Sequence, residues 1–246
     1  MLQRDVAEGI HRIEEADTNW YLVEDGAALT VVDAGFPASW GTLERVTGEL
    51  GRSLGDIVAV VLTHGHFDHV GFAERARTEL GVPVHVHEEE VEVARRPWHY
   101  DHERSRLPYG RHPGFVKTFA LMGAHGALWV KGVEEPETYV DHDELDVPGR
   151  PRVVPTPGHT HGHCALHFAD RGAVIAGDAF VLRDPYTGRE GPCIVAGAAT
   201  ADSERALASV DHLATLDAAV ALTGHGPPWT GGLAEAAARA RAAGPA

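Results

Sequence analysis

Three histidines and one aspartate fall within six consecutive positions, and this cluster constrains the chain more than any other feature. It lies between an apolar run at 57–62, which predicts a buried strand, and a helical pattern of apolar residues at 73–80. The cluster consists of His64, His66, Asp68 and His69. In an extended segment, residues two apart share a side, so the first two histidines can bind one ion together. The turn into the helix would direct the last two residues toward a second ion. Imidazole nitrogens and carboxylate oxygens suit zinc and other borderline divalent ions.

A chance cluster in a histidine-rich chain is the alternative interpretation. The chain has 17 histidines among 246 residues. With that composition, the order His-x-His-x-Asp-His is expected by chance in about one of two hundred such sequences. Exposed histidines that contact only solvent do not require this order. The cluster therefore predicts a metal site.

Three later positions share one property, a lone histidine or aspartate beside glycine at the end of a predicted strand. They are His159, Asp178 and His225. Glycine lets the backbone turn sharply and approach closely, which a ligand-bearing loop requires. Each signal is weak alone, because such dipeptides are common in loops. Together, and in this order after the cluster, they indicate further metal ligands.

Composition, length and net charge limit the classes of protein to which this chain can belong. Hydrophobic residues make up 43% of the chain and charged residues 23%, which is typical of a globular protein, and the length suits one large domain over 1–246. The formal net charge of −15 argues against a nucleic-acid partner, which requires clustered lysine and arginine, and against an anionic membrane surface. We expect a small-molecule substrate, with a monomer and a homodimer both open.

The two cysteines and the N-terminus carry weaker signals. Cys164 and Cys193 are too few for a disulfide framework or a cysteine-based zinc site, and we expect small buried residues. The N-terminus has no apolar signal region, and no apolar run approaches the ~18 residues of a membrane span. A cytoplasmic protein is therefore the default expectation.

Strands and helices alternate in two runs without a hinge-like linker. Residues 10–33 predict a β-meander, and helices are predicted near 43–50 and 73–80, after Asp202 and from Leu233. Residues 184–197 predict a loop rich in glycine and proline. Residues 95–135, rich in aromatic residues, histidine and arginine, predict an insertion. It either contributes substrate contacts or forms a surface helical hairpin with its own small core.

The residues quoted so far resemble the metallo-β-lactamase superfamily over nearly the whole length, from the strand end at 32–35 to His225. The resemblance implies an α/β fold, an αββα sandwich of two mixed sheets flanked by helices with the metals at one edge. It places one ion on three histidines and the second on an aspartate and two histidines, bridged by Asp178. The two sets are His64, His66 and His159, and Asp68, His69 and His225. It also assigns the early Asp33 a role in supporting the ligand loop.

Within the superfamily, the segment 156–163 is similar to hydroxyacylglutathione hydrolases (glyoxalase II) and acyl-homoserine lactonases, with His161 where proline is usual. The chain is less similar to β-lactamases, which generally lack the bridging acid. It also lacks the basic C-terminal segment of a glutathione thioesterase and the extra domains of RNA-processing relatives. The resemblance implies a hydrolase of a small ester, thioester or lactone that uses a hydroxide bridging two ions, most simply Zn²⁺, with iron or manganese as alternatives.

Individual residues receive distinct expected roles. Asp68 is expected to orient the hydroxide and handle its proton as well as to bind metal. His163 is expected to support the ligands by hydrogen bonding, and His161 to lie at the pocket edge because the ligand set is complete without it. Nothing in the flanks of Cys164 indicates an activated thiolate.

Two other function classes stay open at this point. A persulfide dioxygenase shares the scaffold and uses one iron on two histidines and the bridging acid. A non-catalytic binding protein is the third possibility, although decayed members usually lose ligands and this chain retains the complete set.

Overall fold

The computed structural model describes all 246 residues, in thirteen strands and seven α-helices. The strands are β1 (Leu2–Ala7), β2 (Ile10–Glu15), β3 (Thr18–Asp25), β4 (Ala28–Val32), β5 (Ile57–Val61), β6 (Val84–His87), β7 (Glu137–Tyr139), β8 (Arg152–Pro155), β9 (Cys164–Phe168), β10 (Ala173–Gly177), β11 (Val181–Arg183), β12 (Glu190–Cys193) and β13 (Val220–Thr223). The helices are α1 (Ser39–Glu49), α2 (Phe67–Val70), α3 (Ala73–Leu80), α4 (Val91–Arg95), α5 (Pro113–Ala124), α6 (Ser203–Leu213) and α7 (Leu233–Ala243).

Two mixed sheets form the centre of the fold. The first has seven strands in the order β1 to β7; its pairs are antiparallel from β1 to β4 and parallel from β4 to β7. The second has the order β13-β10-β9-β8, and only β10 and β13 are parallel. The central strand β5 has the sequence Ile-Val-Ala-Val-Val with four of its five residues buried, as parallel strands covered on both faces require.

Four layers follow from where the apolar side chains pack. Tyr21, Val32 and Val61 of the first sheet meet Leu166 and Ile175 of the second in a shared core. The outer face of the first sheet packs against α1 and α3. The outer face of the second sheet packs against α6 and α7. The fold is therefore the expected αββα sandwich.

Local signals in the sequence set several helix ends. The Asp202 side chain accepts a hydrogen bond from the Arg205 N–H at 2.9 Å and begins α6, which confirms the predicted N-terminus. Gly81 ends α3 in the left-handed region at φ +71°, as a C-terminal glycine does. The helices predicted near 43–50 and from Leu233 are also present as α1 and α7.

The prediction of an irregular loop over 184–197 is wrong in part, because β12 lies within it and pairs with β11. The sequence of β12, Glu-Gly-Pro-Cys, has little strand propensity, so its pairing depends on tertiary contacts, including those with α7. Strand β1, which precedes the predicted meander, is a polar and mostly exposed strand at the edge of the first sheet. Neither strand has the alternation that identifies a half-buried strand.

The segment 95–135 contains a 3₁₀ turn (Leu107–Arg111), helix α5 and a second 3₁₀ turn (Ala127–Trp129). Phe119 and Met122 of α5 face inward, whereas Val116 and Leu121 of the same helix are exposed. No helix in the chain combines the length and apolarity that crossing a membrane would require.

Candidate metal centre

The ends of four strands bring the predicted ligands to one edge of the sandwich. Strands β8, β10 and β13 run in the same direction, so their carboxyl ends meet at that edge. The loop after β5 reaches the same place from the first sheet. All seven predicted ligands lie there within short reach of one another and are buried.

The donor atoms form overlapping groups in which every donor lies within 4.8 Å of the others. The groups are His64, His66 and His159; Asp68, His69 and His225; and His64, His69 and Asp178. The first two are the sets that the sequence resemblance implied. The third shows that Asp178 and His64 connect them.

Asp178 lies between the two sets of donors. Its Oδ2 is 3.4 Å from His159 Nε2 and 3.3 Å from His225 Nε2, and its Oδ1 is 3.8 Å from His69 Nε2. Asp68 faces the second set, with Oδ2 at 3.5 Å from His225 Nε2 and 3.8 Å from His69 Nε2. A carboxylate placed between two groups of imidazoles is the arrangement that a bridging ligand needs.

Several of these donor atoms have no hydrogen-bond partner although they are buried. They are the Nε2 atoms of His64, His66 and His69 and the Oδ1 atom of Asp178. A buried polar atom without a partner is costly, and native proteins rarely tolerate a cluster of them. Four such atoms in one cluster of ligand residues, together with the close approach of His66 Nδ1 to His159 Nε2 at 2.9 Å, fit cations bound there, so the residues present fit the metal ions that the donor set implies.

Charges divide the histidines into two kinds. Burial would lower the pKa of His69, but the carboxylates of Asp68, Asp33 and Asp178 outweigh it and raise this pKa to about 10. In the same way, Asp178 outweighs burial at His225 and raises its pKa to about 9. Burial lowers the pKa of His159 to about 4. The second donor set therefore holds protons that a metal ion must displace.

Burial and neighbouring imidazoles also lower the pKa values of His64 and His66 well below the ordinary value. Both side chains are therefore neutral at physiological pH. A neutral imidazole has a free nitrogen lone pair, which is the form that binds a metal ion. The first donor set is thus ready to bind a cation without losing protons.

Asp33 lies behind the second donor set. It is held in the left-handed backbone region at φ +59°, an uncommon conformation for a residue other than glycine. Its Oδ1 accepts a hydrogen bond from the Thr63 N–H at 2.8 Å, and its Oδ2 is 2.9 Å from His69 Nδ1. These contacts fix the His69 ring so that Nε2 faces the other donors; a supporting role of Asp33 in metal binding stays a prediction.

His163 and His161 lie in different surroundings although they are two residues apart. His163 is buried; its Nε2 accepts a hydrogen bond from the Asp178 N–H at 2.9 Å, and Thr156 Oγ1 is 2.8 Å from its Nδ1. It therefore holds the backbone of the residue between the two donor sets. His161 is exposed, with Nε2 at 3.0 Å from an oxygen of Asp101, and it lines the rim of a neighbouring cavity.

Glu90 is a functional candidate that the sequence analysis missed. It is fully buried, and its two oxygens accept hydrogen bonds from the Gly65 N–H at 2.8 Å and the Gly162 N–H at 2.9 Å. Those glycines belong to the two loops that carry His64, His66 and His159, so one carboxylate ties both loops together. The only signal in the sequence was an acidic run directly after a predicted strand, which also suits an ordinary helix N-terminus.

Aromatic residues form the wall of the cavity next to the donors. The Tyr100 ring centre is 3.8 Å from that of His66, and Phe67 stacks on Trp98 at 3.8 Å. Phe119 and Tyr186 complete this wall. The segment 95–135 thus places side chains beside the donors while its outer face is exposed. A role of these side chains in binding substrate stays a prediction.

Cys164 does not have the surroundings of an activated thiolate. The side chain is buried and its Sγ lies 3.4 Å from the Gly162 carbonyl oxygen. Burial raises the pKa of this thiol. His87 and Asp141 lie near Cys164, but Asp141 is exposed and interacts with His87 at 3.3 Å. The expectation of an inert buried cysteine agrees with these contacts.

Clustered imidazole and carboxylate donors at the edge of an αββα sandwich define a class of metal-dependent hydrolases. The family model of the metallo-beta-lactamase superfamily matches residues 14–225, and the chain belongs to this superfamily. It is a metal-dependent hydrolase by fold, by relatives and by the donor residues that it retains.

Three comparisons illustrate the relationship. A probable metallo-hydrolase, YflN of Bacillus subtilis, is 28% identical over 239 residues, which covers 92% of this chain and 87% of the relative. The hydroxyacylglutathione hydrolase of Gloeobacter violaceus is 32% identical over 69% of this chain but only 52% of its own length. The crystal structure of a metallo-beta-lactamase family protein from Thermus thermophilus has a TM-score of 0.65 and 30% identity, covering 92% of this chain and 74% of that one.

Proposed function

We propose that this hydrolase binds two metal ions and acts on a small carboxylic ester, thioester or lactone. The observation that carries the proposal is the meeting of two complete donor sets at Asp178, with buried donor atoms that lack any other partner. His64, His66 and His159 would hold one ion. The other set, Asp68, His69 and His225, would hold the second, and Asp178 would contact both.

Bound divalent ions would lower the pKa of a water molecule and polarise the substrate carbonyl. Asp68 lines the cavity in which a substrate would lie, and the Thr18 hydroxyl donates a hydrogen bond to its Oδ2 at 3.5 Å. We assign Asp68 the task of orienting the attacking water and accepting its proton. Asp33 and His163 would keep His69 and Asp178 in position during the reaction.

The donor set of five histidines and two aspartates favours zinc, and it is also compatible with iron and manganese. The first experiment is therefore the metal content per chain of untagged protein, measured by inductively coupled plasma mass spectrometry. About two zinc ions per chain would support the proposal. One iron per chain, with oxygen consumption in the presence of a persulfide, would support a dioxygenase instead and refute it.

The role of Asp68 is tested by Asp68→Ala. We expect a loss of hydrolysis of about 100-fold or more with the fold retained, because both a metal donor and a proton acceptor are removed. The test substrates are phenyl acetate, a thioester and a γ-lactone. Asp170→Ala is the matched control, since Asp170 is an exposed carboxylate in the turn between β9 and β10. Wild-type turnover by Asp68→Ala would contradict the assignment.

A further inference from the structure

Apart from the proposed ligands, the cavity wall beside the metal centre consists entirely of uncharged side chains. They are Phe67, Tyr100, Phe119, Met122, Pro185, Tyr186, Val195 and Ala199. The space left between these side chains and the donors is about 10 Å³. A substrate that binds at the donors will therefore place its substituents against aromatic and aliphatic groups.

No lysine or arginine lines this cavity. The guanidinium of Arg106 lies 4.8 Å from the centre of the Tyr100 ring and donates a hydrogen bond to the Ala198 carbonyl oxygen. Arg183 is paired with Asp17 at 3.5 Å. Neither cation lines the cavity itself: Arg106 lies against Tyr100 of the wall, and Arg183 lies against Asp17.

The adjoining cavity is acidic. It has a volume of about 400 Å³ and shares Tyr100 with the cavity beside the metal centre. Its lining includes the carboxylates of Glu89 and Asp101 and the imidazoles of His99 and His161, but no lysine or arginine. A substrate that passes Tyr100 from this side meets carboxylates before it meets the aromatic wall. These carboxylates repel an anionic substrate, and the chain as a whole carries a formal charge of −15.

We propose that the site selects small carbonyl substrates whose substituents are uncharged, and that it discriminates against substrates that carry a carboxylate. This inference rests on the proposed function and adds the chemical class of its substrate. Metal ions in the centre would attract the carbonyl oxygen of any substrate. The substituent, however, must lie against the uncharged wall, where a carboxylate would lose its hydration without gaining a cationic side chain as a partner.

The test uses two lactones of the same shape that differ by one charge, γ-carboxy-γ-butyrolactone and its primary amide. Hydrolysis by the metal-loaded full-length protein is followed with a pH indicator, with phenyl acetate as a third, uncharged substrate. We expect kcat/KM for the amide to exceed that for the carboxylate by at least about tenfold, because only the carboxylate must bury an unpaired charge.

A positive charge introduced into the wall provides the second measurement. Phe119→Lys places a cation in the wall of the cavity, and Val116→Lys adds the same charge to the exposed face of the same helix. We expect Phe119→Lys to raise the ratio of carboxylate to amide hydrolysis by at least about tenfold and Val116→Lys to leave it unchanged. If Phe119→Lys fails to fold, the ratio of the kcat/KM values for the two lactones in the wild-type protein still tests the proposed discrimination against a carboxylate.

The outcomes separate the two proposals. Equal kcat/KM values for both lactones in the wild-type protein would overturn the charge selection while leaving the hydrolase intact. A preference for the amide that Phe119→Lys does not change would also overturn it, because the carboxylate would then be excluded by something other than the wall. Failure to hydrolyse all three substrates would overturn the hydrolase proposal and this inference with it.

Discussion

Gly224, which follows β13 directly and precedes His225, offers the sharpest test of the metal centre. A Cβ atom at this position would lie 2.0 Å from Oδ1 of Asp178 and 2.8 Å from Cε1 of His69. Ordinary van der Waals contact begins near 3.4 Å, so the contact with Asp178 falls short by about 1.4 Å. Gly224→Ala must therefore move the carboxylate that lies between the two donor sets.

The expected effect is large on function and modest on stability. A displacement of about 1 Å in a reacting group can cost about 100-fold in rate, and disturbing ligand positions commonly costs about 10- to 100-fold in metal affinity. Overpacking by one methyl group typically costs about 1–3 kcal/mol of the free energy of unfolding. We expect Gly224→Ala to fold, to retain at most one tightly bound ion per chain and to lose about 100-fold in hydrolysis.

The assay combines metal content after dialysis against a weak chelator, cobalt(II) titration followed by visible absorption, and the melting temperature of the metal-free protein. Gly48→Ala is the matched control, because Gly48 lies in α1 with no atom within 4 Å of the added Cβ. That change should leave metal binding unaltered and stabilise the helix by about 0.5–1 kcal/mol. A folded Gly224→Ala protein with two tightly bound ions and wild-type turnover would refute the position assigned to Asp178.

Three further predictions follow from the supporting contacts and the pKa values. In Glu90→Gln the side chain can accept only one of the two backbone hydrogen bonds, so the two ligand-bearing loops should become more mobile and metal affinity should fall about 10- to 100-fold. Unchanged metal affinity would refute the role of Glu90 in holding both loops in place. Asp33→Asn removes the charge beside His69 and should lower the affinity of the second ion more than that of the first, in a stepwise titration. Because the pKa values of His69 and His225 are raised to about 10 and 9, metal loading near pH 7 should release about two protons, and this number should fall as the pH rises through about 9 to 10. Calorimetric heats that do not depend on the buffer at pH 7 would contradict this. Because folding raises both pKa values, protonation of these two histidines stabilises the metal-free fold. The stabilisation is complete below pH 6.5 and disappears as the pH rises through about 9 to 10.

The donor residues were accessible from the sequence because each lies at the end of an element with a strong local pattern. The apolar run of β5 is followed at once by the cluster from His64 to His69, and glycine accompanies His159, Asp178 and His225. Strand ends, capping residues and hydrophobic periodicity are properties of neighbouring residues. The candidate site residues could therefore be predicted from local patterns, whereas the αββα fold was predicted from the resemblance to the metallo-β-lactamase superfamily.

Other features depend on residues that are far apart in the chain. Glu90 contacts Gly162 across 72 positions, and the cavity wall joins Phe119 of α5 to Val195 beyond β12. No local pattern indicates such contacts, since the same acidic run suits a helix N-terminus and the same aromatic residues suit a surface hairpin. Strand β12 also depends on contacts beyond its own sequence. Its glycine and proline indicate a loop, and only the pairing with β11 makes it a strand.

The sequence by itself thus identified the candidate metal ligands and the elements that carry them, because spacing and periodicity act over a few residues. Only the tertiary structure decided which carboxylate contacts both ligand-bearing loops and which side chains line the cavity beside the donors. Those outcomes depend on how two sheets and their loops pack, and packing brings together side chains whose separation along the chain carries no information about their distance in space.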